Sequence, residues 1–139
     1  FKFLNFPDQK LLEIPHLEIN VEIEKIMKKF KPKIVYTSPY HDLNSDHKRV
    51  FESTLVASRP SSSSVKKLLC YELPGFTKEP FRPNTYVDIT KEISSKIKAF
   101  KIYKNEVMKF PHPRSIQAIE NLAIHRGVEA SLRKARHFN

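Results

Sequence analysis

Ile19, Ile23, Ile26 and Phe30 recur at spacings of four, three and four, which lays one apolar face along a helix expected from about Leu17 to Lys31. Pro32 stops it, because a proline ring disfavours helical geometry in the residue ahead. The period then shortens. Lys33 to Thr37 is β-branched and aromatic and predicts a strand. Ser45 is expected to cap a helix from Asp46 to about Ser58, with Val50 and Leu55 turned inward. After the serine run that follows Pro60, Val65 to Leu73 and Thr85 to Ile89 read as strands. Thr90 then caps a helix carrying Ile93, Ile97, Phe100 and Val107. Pro111-His112-Pro113 breaks the chain, and Ser115 opens a last helix with Ile116, Ile119, Leu122 and Ala123. At the front, Phe1 to Phe6 alternates like a strand and ends at the turn signal Phe6-Pro7-Asp8. The order β-α-β-α-β-β-α-α predicts an α/β sheet with helices packed on its faces.

Composition narrows the possibilities. A chain of 139 residues is one domain's worth. It begins at Phe1, already in a strand-like pattern, so the expectation is a piece of one larger domain. Only two glycines occur, which excludes a Gly-rich phosphate loop. One cysteine, Cys70, excludes an internal disulfide and favours a reducing, cytoplasmic setting. It sits in the apolar run Leu68-Leu69-Cys70-Tyr71 and reads as buried and inert. No apolar run approaches the ~20 residues of a membrane span.

The net charge of +10 would suit a nucleic acid, but its lysines are scattered through helical segments. Lys25, Lys28, Lys29, Lys31 and Lys33 surround one helix end, where cations complement the dipole. Solvated helix faces account for the charge, and no nucleic-acid partner is expected.

The chemistry concentrates in Asp42-Leu43-Asn44-Ser45-Asp46-His47, directly after the apolar run Ile34 to Thr37. Two carboxylates, an amide and an imidazole at the mouth of an α/β crevice form a ligand and acid/base set. Spacing alone leaves two readings. Asp46 caps the helix while His47 sits on the surface, or Asp46 is held ionised at the helix start while His47 offers a neutral metal ligand.

A resemblance bears on that choice. The segments from Tyr36-Thr37 through Asp42-Leu43-Asn44-Ser45-Asp46-His47-Lys48-Arg49, with Pro83-Asn84-Thr85-Tyr86-Val87-Asp88 and Phe110-Pro111-His112-Pro113-Arg114-Ser115, closely resemble the PIG-L/LmbE-like family of zinc-dependent N-deacetylases. Phe3-Leu4-Asn5-Phe6-Pro7-Asp8 and His125-Arg126-Gly127 extend the match across nearly the whole chain. The resemblance implies a Rossmann-like LmbE-type sheet with helices on both faces, lacking the leading β-α-β portion. It implies a zinc-dependent hydrolase that removes an N-acetyl group from an amino-sugar or glycoconjugate. His47 would be the third zinc ligand, Asp46 the acid that precedes and orients it, and Asn44 an oxyanion donor. Asp42, His112 and Arg114 would touch substrate.

The chain departs from the family pattern upstream. The His-Pro-Asp-Asp motif that holds the other two ligands and the general base has no counterpart in these residues. Arg136 stands where members usually carry Glu, and Ser38-Pro39 where many place histidines. The fragment alone is therefore expected to be inactive and to bind zinc weakly, with a non-catalytic binding or remnant module of the same fold, or a basic nucleic-acid-binding domain, as the alternatives. A homo-oligomer that completes the site stays open.

Overall fold

A computed structural model describes residues 1–139. The elements run α1 (His16–Phe30), β1 (Ile34–Thr37), α2 (Ser45–Ala57), β2 (Lys67–Cys70), β3 (Thr85–Asp88), α3 (Ile93–Ile102), α4 (Ile116–Glu129) and β4 (Ala135–Phe138). They fall into two compact units, residues 1–81 and 82–139.

In the first unit β1 and β2 pair in parallel, Ile34 with Lys67 through Thr37 with Cys70, and α2 makes the crossover between them. The strand alternates as pleating demands: Thr37 is buried and Val35 half-buried, while Ile34 and Tyr36 face outward. Met27 of α1, Ala57 of α2 and Val65 form the core, with Ile23 and Val35 packed against it. The inward face of α1 is set by Ile19 and Met27, whereas Phe30 at the predicted end of the stripe is exposed. Lys31 ends the helix in a left-handed conformation and returns its N–H to Met27 O. Lys25 and Lys28 pair with Glu22 and Glu24 on the same helix, so part of the positive charge is a solvated helix face.

The second unit pairs β3 and β4 antiparallel, Thr85 with Phe138 through Asp88 with Ala135. Ile93 and Ile97 of α3 and Ala123 of α4 make its core, with Ile89 and Ile116 alongside. Ser115 caps α4 by accepting from Ala118 N–H at 3.1 Å, as its position in the sequence predicts. Gly127 is required by packing. A Cβ there would stand 2.7 Å from Leu132 O and 2.9 Å from Arg133 O, on the turn that carries the chain from α4 into β4.

Several expectations are corrected. Residues 1–6 form no strand, since nothing pairs with their alternating pattern. The cap of α2 is Asn44, not Ser45, and Leu55 points to solvent. Thr90 does not cap α3; its N–H and hydroxyl both bond Asp88 Oδ1, and the helix ends before Val107. The expected strand from Val65 to Leu73 is ordered as a strand only where β1 lies beside it. β4, unforeseen, reads Ala-Arg-His-Phe and shows no apolar alternation. The strands form two two-stranded sheets. No helix is long and apolar enough to cross a membrane.

Candidate functional site

The candidate residues of the first unit lie on the loop from β1 to α2 and on the first turn of that helix. Asn44 sets the turn. Its side-chain oxygen accepts from Asp46 N–H at 2.8 Å, satisfying one of the helix's orphan donors. With the oxygen engaged, the amide's NH2 is left to donate outward from an exposed residue.

Asp42 is wholly excluded from solvent. Its Oδ1 accepts the Asn44 N–H at 2.8 Å, and its Oδ2 lies 2.7 Å from His47 Nδ1. The His47 side chain itself remains 44% exposed, so the ring is tied on one edge and open on the other. Its backbone is pinned as well, because the buried Ser38 hydroxyl donates to His47 O at 2.7 Å. Asp46 is buried and accepts the Leu11 N–H at 3.0 Å, which brings the segment ahead of α1 onto the start of α2.

The loop is braced from its other side. Leu43 N–H donates to Phe76 O and Lys78 N–H to His41 O, each at 2.8 Å, around a bridge from Asp42 to Thr77. Tyr40 stacks edge-on to His41 and tilts against Phe51, which lies one helical turn beyond His47. Sequence reasoning missed Leu11, Ser38 and the 73–79 segment as parts of this assembly. Two of those contacts run through backbone groups that carry no residue signature, and only the polar Ser38 at a strand end offered one.

In the second unit, Arg114 forms an ion pair with Glu106, and its N–H donates to His112 Nδ1 at 3.0 Å. His112 is exposed and Arg114 half-buried. Asp8 is exposed, and His125 stands 3.5 Å from Glu129 on the surface of α4. Burial raises the Cys70 thiol above its usual range, which keeps it protonated and unreactive.

The donor chemistry decides how far a metal fits. His47 offers one ring nitrogen on the edge away from Asp42, which suits one ligand position of a divalent cation. No group of three His, Cys, Asp or Glu side chains within residues 1–139 could hold the ion unaided. The chain fits a metal as the donor of a single ligand.

Comparison with known proteins gives the following likenesses. The PIG-L family, GlcNAc-PI de-N-acetylase, matches residues 1–58. The conserved protein TT1542 from Thermus thermophilus superposes with a TM-score of 0.78 at 20% identity, over 97% of this chain and 62% of its own. N,N'-diacetylchitobiose deacetylase from Pyrococcus horikoshii, solved with an inhibitor, superposes with a TM-score of 0.71 at 20% identity, over 98% and 55%. Residues 1–139 thus span 62% and 55% of the length of these two neighbours. The mixed α/β architecture is of the LmbE type.

Proposed function

We propose, for a chain that is PIG-L/LmbE-like in its residues 1–58 and in its fold, that it supplies one wall of a metal-dependent N-deacetylase site for N-acetylated amino-sugars. The observation that carries this reading is the histidine at the first turn of α2, anchored by Nδ1 with its other ring nitrogen open. It falls inside the segment that matches the family.

His47 is the one metal ligand from this chain. A divalent cation in such a site polarises an amide carbonyl and acidifies bound water. The remaining ligands and the group that takes the water's proton would come from outside residues 1–139. What this chain does itself is hold and donate. Asn44 NH2 would stabilise negative charge on the acetyl oxygen, since an amide donates hydrogen bonds but gives up no proton. Asp46 fixes the helix start by bonding the Leu11 N–H, which holds Asn44 and His47 in register. His112 and Arg114 are offered as contacts to sugar hydroxyls or an anionic group, on the sequence resemblance.

The test uses release of acetate from N,N'-diacetylchitobiose with added zinc. Residues 1–139 alone are expected to release none and to lose zinc on dialysis. Stoichiometric zinc retained by a monomer would contradict the single-ligand reading. In any longer form that is active, Asn44→Ala is expected to lower kcat roughly 100- to 1000-fold. An unchanged rate would remove Asn44 from the mechanism. A non-catalytic module of the same fold is the second reading, favoured by the lack of a three-donor group in these residues.

A further inference from the structure

The sequence resemblance gives Asp42 to the substrate; its surroundings assign it another task. Asp42 has no solvent exposure, so no sugar reaches it without displacing the loop. Both carboxylate oxygens are engaged, Oδ1 by the Asn44 N–H at 2.8 Å and Oδ2 by His47 Nδ1 at 2.7 Å. We infer that Asp42 is a positioning residue, whose buried carboxylate takes the Nδ1–H of His47 and holds the ring in the tautomer that presents the Nε2 lone pair outward. The electrophile this serves is a divalent cation, and that part rests on the deacetylase reading.

Matching donors to acceptors fixes the ring's proton. An ionised carboxylate only accepts, so the ring nitrogen facing it must carry the hydrogen. In the neutral imidazole the other nitrogen is then bare, which is the form a metal or an electrophilic carbon requires. Two further sets of contacts fix the backbone on either side of this pair. Ser38 clamps the His47 carbonyl at 2.7 Å, and the loop bearing Asp42 is bonded to residues 76 and 78 through Leu43 N–H and His41 O. Other histidines near acids lack this arrangement. His41 stands 3.6 Å from Glu79 and His125 3.5 Å from Glu129, and in both pairs the acid is open to water. Neither distance makes a hydrogen bond that selects a tautomer.

The tautomer is directly observable. Long-range proton–nitrogen NMR on the 139-residue chain, with the rings neutral, is expected to show His47 as the Nδ1–H form with an unprotonated Nε2. Asp42→Asn, similar in size but able to present either its oxygen or its NH2, is expected to mix in the Nε2–H form that free histidine favours in water. Asp42→Glu should recover part of the Nδ1–H signature. Zinc affinity at His47 should fall roughly 10- to 100-fold in Asp42→Asn, the usual cost of losing such a partner. A wild-type His47 in the Nε2–H form would overturn the inference without any variant having to fold. So would a tautomer left unchanged when the acceptor is removed altogether in Asp42→Ala. A wild-type ring in the Nδ1–H form that ignores zinc, even in an active longer form, would uphold the positioning role and count against His47 as a metal ligand.

Discussion

In the first unit the Asp42 carboxylate is sealed from water and met by the Asn44 N–H on one oxygen and a His47 ring nitrogen on the other. In the second, the half-buried Lys96 ammonium has another cation, Arg136, near it, and burial together with that repulsion pushes its pKa down to about 8. Both groups are withdrawn from solvent, at a cost in either case. The carboxylate is compensated by partners supplied within five residues of it, on a loop built to present them. The ammonium is penalised first by its own burial and then by a residue forty positions away. A buried charge with local partners marks a constructed site, whereas Lys96 marks stability forgone.

Breaking the favourable case should have the largest effect. Asp42→Ala strands the Asn44 N–H and frees His47, and is expected to lower unfolding stability by about 3 kcal/mol, read from urea denaturation. A loss under about 0.5 kcal/mol would mean that the loop does not depend on the carboxylate. Next comes Gly127→Ala, whose methyl must push the backbone of residues 132 and 133 away from α4; about 2 kcal/mol is expected, with β4 amides losing hydrogen-exchange protection first.

Removing the unfavourable charge should act in the opposite direction. Lys96→Met is expected to stabilise the protein at neutral pH by on the order of 1 kcal/mol, a figure already reduced for partial solvent screening. The sign with pH follows from a folded pKa of about 8 against the ordinary 10.5. Below about 8 the amine is protonated in both states and the folded protein carries the whole penalty. Between about 8 and 10.5 the unfolded chain holds a proton that the folded one has released, so stability rises with pH across that window. The advantage of Lys96→Met should therefore shrink over the same range, and a constant difference would contradict it. The smallest effect belongs to the pair of half-buried Arg114 and exposed Glu106. Glu106→Gln is expected to change the melting temperature by less than a degree or two, since such surface pairs contribute ~0.2–1 kcal/mol.

The same contrast governs what could be read from the chain. α1, α2 and α4 were legible because apolar spacing, Pro32 and Ser115 are local signals. β4 was not, because Ala135 to Phe138 becomes a strand only through its register with β3. Thr90 reads equally well as a helix cap or a turn residue, and the nearby Asp88 carboxylate captured it for the turn. At the site, Asp42, Asn44, Asp46 and His47 were visible as a motif. Which carboxylate faces the imidazole was not, for Asp46 is adjacent in sequence yet turns to Leu11, while Asp42 lies five residues back. Neighbours on a helix point in different directions, and proximity in sequence misassigns the pair.

The central claim is that this chain contributes His47, and only His47, to a metal site. Zinc titration of the 139-residue chain, followed at the ring nitrogens of all six histidines, tests it most directly. A weak, reversible response at His47 Nε2 is predicted, with the other five rings unmoved. Zinc gathered by other histidines, or a His47 ring that stays silent at saturating metal, would contradict it.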